Sequence, residues 1–374
     1  MNAQGQAAAR AVRAYAAMRR HLLGRDGLYR RDGRPRLPGV AAHLWPTARA
    51  FAGAVDLLGV PGDLLVGFDA QSAVDAHLRA LDAYWEQSAE LPSYASDVIG
   101  SRFGGDRYYD DNAWVGLALV QLERLSPGGG HARRAEALFR FAVGGWDARP
   151  DVPSPGGVFW VEQGRGAGLD NHDRNTVSNA PNAQLGLHLA ELGAGNGHRH
   201  ARARHMYDWV NVTLDSGREQ GAPGTGLFFD KVRGDATVDR TLWTYNQGSM
   251  IGANVLLARQ AGPEDGAPYL TRAETIAARA LRHYAGAYDR QPPAFNAILF
   301  RNLLRLHAAT ADAALRERIR GALTAYAEMA WSSHRDGHDR FRFGRGGPTL
   351  LHQSAMVQIY ALLAWDPDDY GALA

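Results

Sequence analysis

A chain of 374 residues with 45% hydrophobic and 21% charged residues has the balance of a soluble globular protein with a sizeable core, and disorder is not expected. The net charge of +2 and the pI near 8.9 come from arginines spread along the chain and interleaved with acids, so no basic block points to nucleic acid. Having no cysteine, the protein can form neither disulfides nor thiolate nucleophiles nor zinc–thiolate sites.

The N-terminal stretch MNAQGQAAARAVRAYAAMRRHLL is amphipathic and dotted with arginine, without the uninterrupted apolar core and small-residue cleavage site of a secretory signal. No run is long enough to span a bilayer, so the cytoplasm is the expected compartment and a membrane is not an expected partner. Apolar residues at three-to-four spacing, between glycine and proline clusters, predict about twelve helices in a single domain over residues 1–374. They begin near Gly5, Ala41, Asp69, Asp111, His131, Ser178, Arg199, Tyr245, Pro268, Ala294, Asp312 and Leu350. Strand signals are few, and GGVFWVE and TGLFFDKV are predicted to form small hairpins in the connections.

The helices alternate in character. Odd-numbered ones carry broad polar faces, as in ARRAEALFRFAV, and belong on a surface; even-numbered ones, such as WVGLALVQL, NAQLGLHLA and GSMIGANVLLA, are apolar nearly all round and belong inside. Connections leaving even helices are short, while several entering them are long and aromatic. Six helical hairpins closed into a ring satisfy both patterns, so the predicted class is all-α, an (α/α)6 toroid. Its inner helices start near His43, Asp111, Asn179, Asn246, Asn296 and His352, the early ones roughly 67 residues apart.

All six starts then converge on one rim, which gathers HLWPTARAF, YYDDNAW, TVSNAPN, LWTYNQG, PAFNAIL and TLLHQSA around a central cavity. Aromatic faces with a few polar groups suit a sugar. Asp110 and Asp111 stand side by side at a helix start, where one aspartate would suffice as a cap and the second adds repulsion. Glycoside hydrolysis uses such a pair: one carboxylate attacks the anomeric carbon and the other protonates the leaving oxygen. Tyr109, Trp160, Asn179, Asp230, Trp243, Tyr245 and Asn246 are the expected substrate contacts, with Trp160 a stacking platform and Asn179 either a helix cap or a partner for a sugar hydroxyl. His43 and His352, on the first and last inner helices, offer an alternative as a proton-shuttling pair of a sugar epimerase or isomerase. A carbohydrate-binding toroid without catalysis is a third reading. No phosphate-binding glycine loop or metal-ligand spacing stands out, and no cofactor is expected.

The ordered series YYDDNAW, GGVFW, NTVSNAP, TGLFFD, WTYNQG and FNAILFRNLLRL, over about residues 40 to 365, resembles glycoside hydrolase family 76, the endo-α-1,6-mannanases with an (α/α)6 barrel. The resemblance implies retaining cleavage of α-1,6-linked mannose in mannan or mannooligosaccharides, with Asp110 as nucleophile and Asp111 as acid/base. It also implies that Trp160, Tyr245 and Asn246 lie near the mannose site.

Overall fold

The computed structural model describes residues 2–32, 40–101, 105–164, 171–193 and 197–374. Its helices are α1 (Ala3–Leu22), α2 (Leu44–Leu58), α3 (Ala70–Asp82), α4 (Tyr109–Leu125), α5 (His131–Gly144), α6 (Thr176–Leu192), α7 (Gly197–Thr213), the single turn α8 (Ser216–Glu219), α9 (Thr244–His283), α10 (Pro293–Ala309), α11 (Ala313–Ser333) and α12 (Leu350–Ala364). Helix α9 is two barrel helices in one. At Gly262 the backbone adopts φ 82° and ψ −179°, open only to glycine, and Pro263 starts the second half. The connection expected around AGPEDGA is therefore a one-residue break, and the second helix starts earlier than Pro268.

Packing between elements closes a ring: α2 against α4, α4 against α6, α6 against α9, α9 against α10, α10 against α12, and α12 back against α2. The others lie outside, with α1 on α12, α3 on α2, α5 on α4 and α6, α7 on α6, and α11 on α10 and α12. The inner helices are buried on almost every side, as apolar patterning all round requires. Their backbones come close where a side chain is missing: a Cβ on Gly248 would lie 2.7 Å from Leu299 Cα of the adjacent helix.

One end of the ring is sealed. Arg301 is ion-paired with Asp56, Arg305 donates to Gln184 Oε1 at 2.7 Å, and the Trp365 indole donates to the Asp56 carbonyl at 2.7 Å. Between these groups the axis holds a space of only about 20 Å³, room for about one water.

At the opposite end, where all six inner helices begin, one device recurs. The fourth residue of each inner helix is Thr47, Asn112, Asn179, Gln247, Asn296 or Gln353, and all six are buried. The amides of Asn112, Asn179 and Gln247 each accept the backbone N–H and donate to the carbonyl of one residue in a rim loop, respectively Tyr94, Val158 and Phe228. Gln353 accepts from Phe341 N–H and donates to Ala14 and Asp339 carbonyls, and Asn296 donates to the Tyr288 carbonyl. Thr47 instead turns its hydroxyl to the His43 carbonyl.

Short strands tie the rim loops together. β1 (Trp85–Glu86) pairs with β2 (Ser93–Tyr94), and β3 (Arg174–Asn175), β4 (Lys231–Val232) and β5 (Val238–Asp239) form an antiparallel sheet in that order. TGLFFDKV thus enters a hairpin as expected. GGVFWVE does not fold on itself: its residues bridge outward, Val158 to Trp146, Phe159 to Arg174 and Val161 to Tyr108. Among the described residues no helix is long and apolar enough to cross a membrane.

Candidate active site

The chain enters α4 in an extended conformation at Tyr108, whose side chain makes no capping hydrogen bond. Tyr109 N–H donates to the Trp160 carbonyl at 3.0 Å, pinning the first turn to the 158–161 segment. Asp110 and Asp111 follow in that turn, on the positive end of the helix dipole. Both residues are partly exposed although protein atoms crowd their carboxyls on most sides.

The two neighbours are chemically unequal. Burial pushes Asp110 up to about 7, opposed by the backbone N–H groups of residues 110 and 111 and by the Trp160 indole N–H; the charge of Asp230 adds to the rise. Its Oδ1 is buried without a hydrogen-bond partner. Asp111 lies well above the ordinary carboxylate range through burial and the Asp110 charge, with no donor opposing them. Two such carboxyls titrate as a pair, and at neutral pH the arrangement favours one negative charge, on Asp110, and one proton, on Asp111.

Asp230 sits just before β4, buried, with Oδ1 3.4 Å from both the Tyr245 hydroxyl and Asn246 Nδ2. Burial, foremost, raises its titration. Tyr245 stacks on Phe295 with ring centroids 3.9 Å apart, and Trp243 meets Phe295 edge-on at 5.6 Å. Trp160, half-buried, packs against Tyr108 at 4.9 Å. The sequence-derived site thus comes together around Asp110, Asp111, Trp160, Asp230, Trp243 and Tyr245. Asn246 is fully buried and holds Asp230 from beneath, with its own Oδ1 unpartnered.

Two expected contacts lie elsewhere. Asn179 is fully buried and its amide is spent on the Val158 and Asn175 backbone, so it anchors the Trp160 segment and has nothing to offer a hydroxyl. Tyr109 turns outward into the core, stacked on Phe141 at 4.4 Å. Its neighbour Tyr108 faces the acids instead: burial first, then Asp106, Asp111, Asp110 and Asp97, push its hydroxyl up to about 12. Tyr108 and Phe295 are the residues sequence reasoning missed, although both stand in the quoted rim segments.

The two histidines have separate partners. His43 is exposed, its Nδ1 3.0 Å from Asp97. His352 is partly buried beside Phe343, and burial, then His334, lowers it to about 4. Among the described residues, no group of three or more His, Cys, Asp or Glu is placed to hold a metal ion.

The fold recurs in solved structures. A glycoside hydrolase family 76 mannosidase from Bacteroides thetaiotaomicron VPI-5482 superposes with a TM-score of 0.80 at 20% identity, covering 96% of this chain and 98% of that one. An inactive variant of the α-1,6-mannanase GH76A of Salegentibacter sp. HEL1_6, in complex with α-1,6-mannotriose, gives 0.74 at 19% identity, covering 96% and 99%. A D-mannose isomerase gives 0.64 at 13%, covering 96% and 97%, so the toroid by itself does not separate hydrolysis from isomerisation. A search among curated proteins finds no match by sequence. The profile of glycosyl hydrolase family 76, in contrast, matches residues 6–348, and with the unequal aspartate pair at the open end of its ring the chain belongs to that family.

Proposed function

We propose that this glycoside hydrolase cleaves α-1,6-mannosidic bonds in mannan or mannooligosaccharides with retention, by double displacement. Asp110 attacks the anomeric carbon while Asp111 gives its proton to the departing glycosidic oxygen, leaving a mannosyl ester on Asp110. Asp111, now a carboxylate, takes a proton from water, which attacks the anomeric carbon of the mannosyl ester, breaks its bond to the Asp110 oxygen and frees Asp110 as a carboxylate. The observation that carries this reading is the pair itself: consecutive carboxyls in the first turn of α4, both pushed up by burial, with the Asp110 charge raising Asp111 further. Tyr108, Trp160, Trp243 and Tyr245 supply aromatic faces for sugar rings, and Asp230 is an acceptor for their hydroxyls. Family membership supports glycosidase chemistry, and the Salegentibacter structures support the linkage, since those α-1,6-mannanases are inactive with two consecutive aspartates replaced and hold α-1,6-mannotriose or mannotetraose.

The test is incubation with α-1,6-mannobiose, mannotriose and mannan, with the products followed by proton NMR. Release of α-configured reducing ends before mutarotation supports the proposal. Initial β-anomer excludes retention, new monosaccharide isomers from free mannose without bond cleavage indicate an isomerase, and binding without products indicates a carbohydrate-binding toroid.

A further inference from the structure

Below the rim, the ring axis is lined by Arg49, Ala52 and Asp56 of α2 and by Trp114, Ala118 and Gln121 of α4. One turn toward the rim from Arg49, on the same face of α2, stands Trp45; one turn toward the rim from Trp114, on the same face of α4, stands Asp110. Trp45 and Asp110 thus occupy corresponding places on adjacent inner helices, and Trp45, half-buried, keeps part of its ring open. The ring is held from below. Its centroid is 5.9 Å from that of Trp114, and the buried Arg49 guanidinium, hydrogen-bonded to Gln358, lies 5.5 Å from the Trp45 ring and 5.6 Å from the Trp114 ring. A tryptophan packed on a second ring and a fixed cation is a preorganised platform.

The first turn of α4 decides which sugar that platform meets. Residues step round a helix by about 100° each. Tyr109 stacks on Phe141 of α5, the outer helix packed on α4 and α6. Asn112 holds the Tyr94 backbone, in a loop whose Ser96 carbonyl accepts from Leu44 N–H at the start of α2. Between these two, Asp110 is turned toward the α6 half of the cavity and Asp111 toward the α2 half. The acid protonates the departing oxygen, so the departing sugar lies on the Asp111 side, where Trp45 stands.

We propose that Trp45 is the platform for the leaving-group mannose, the residue that makes a sugar on the departing side of the scissile bond count toward the rate. The inference rests on the proposed function, with Asp110 as nucleophile and Asp111 as acid.

The experiment compares Trp45→Ala and Trp45→Phe with the wild type, in the full chain, on two substrates: α-1,6-mannotriose, whose leaving group is a sugar, and α-mannosyl fluoride, whose leaving group is a single atom. Trp45→Ala is expected to lower kcat/KM on mannotriose about tenfold, the loss of one well-packed aromatic contact, and to leave fluoride hydrolysis within about twofold of wild type. Trp45→Phe should fall between, and it carries the test if the alanine variant does not fold. A second readout bypasses the first step. Once the fluoride has formed the mannosyl ester, methyl α-mannoside competes with water: its 6-hydroxyl gives a proton to Asp111, attacks the anomeric carbon and frees Asp110, so the ratio of transfer to hydrolysis reports the acceptor on the departing side. That ratio should fall in both variants. Equal losses on the two substrates overturn the proposal and place Trp45 against the other sugar or in the frame of the fold. Mannotriose kinetics and a transfer ratio equal to wild type overturn it as well. Wild-type protein that hydrolyses the fluoride but no α-1,6-mannoside refutes the linkage reading, and a transfer ratio that still falls in the variants then leaves the platform standing. Wild-type protein inert on both substrates refutes the functional reading and the platform with it.

Discussion

Replacing Asp111 by asparagine should remove activity and make the protein more stable, with a pH dependence that identifies the cause. In the folded state burial and the Asp110 charge hold the Asp111 proton well above the usual carboxylate range, whereas the unfolded chain releases it near pH 3.9. A carboxyl raised on folding contributes no penalty while both states keep the proton. Stability then falls as pH climbs past the unfolded value, and levels off only above the folded one. At pH 7 the penalty has a ceiling of about 4 kcal/mol, the free energy of keeping a proton roughly three pH units above the point where the unfolded chain gives it up. Asp111 is partly exposed, and discounting for that solvation brings the expectation to about 2 kcal/mol. Asparagine has the same shape and no proton to keep. Asp111→Asn should therefore gain about 2 kcal/mol at pH 7, a Tm rise of about 2–4 °C, and almost nothing at pH 4. Urea midpoints at pH 4, 5.5 and 7 measure the trend. A variant no more stable than wild type at pH 7, or one that gains equally at pH 4, would show that Asp111 holds no displaced proton, and its role as the acid would go with it.

The kinetic roles of the pair separate on activated substrates. Asp110→Asn should abolish turnover of every mannoside, since an amide forms no glycosyl ester, whereas Asp111→Asn should keep its first step on a mannoside whose leaving group needs no proton, and azide should rescue the second step as a mannosyl azide of retained configuration. Folded Asp110→Asn protein with near-normal turnover would reduce the pair to helix capping. The rim amides should behave as structure and not as substrate contacts: Asn179→Ala or Gln247→Ala strands a buried N–H and carbonyl of Val158 or Phe228 and should cost about 2–4 kcal/mol in chemical denaturation. A large KM change with stability intact would contradict that assignment. Tyr108→Ala should raise KM for mannooligosaccharides severalfold with little loss of stability, while Tyr109→Ala, which empties a stacked core site against Phe141, should cost about 3–5 kcal/mol. Reversed outcomes would mean that the tyrosines have been assigned to the wrong sides.

What could be read from the sequence and what could not divides along a physical line. The ring was legible because burial on all sides leaves a composition signal over a whole helix, as in α4, α6 and α12, and no local accident reproduces that six times. Asp110 and Asp111 were legible because a second adjacent carboxylate at a helix start has an electrostatic cost that capping does not explain. The misplacements of Tyr109 and Asn179 have a common origin. A helix turns about 100° per residue, so an error of one position in the first turn exchanges a side chain facing the cavity for one facing a loop or the outer layer. Helix starts read from sequence carry an uncertainty of at least that size. The third residue of α4 is Asp111 and the fourth is Asn112; the first faces Asp110's cavity, and the second is consumed by the Tyr94 backbone. In α6 the fourth place falls to Asn179, and in α9 to Gln247. An asparagine bound for a sugar and one bound for a buried backbone look alike in sequence, because the partner that distinguishes them lies some 20 residues away in a rim loop. The distinguishing signal was recurrence. A cavity that binds one substrate has no reason to repeat an amide at the same helical position around its ring, whereas inner helices that hold the loops feeding them do, and five of the six carry one. The carboxylate pair occurs at one helix start only, and that singularity, set against the repetition of the amides, marks it as the chemistry and them as the frame.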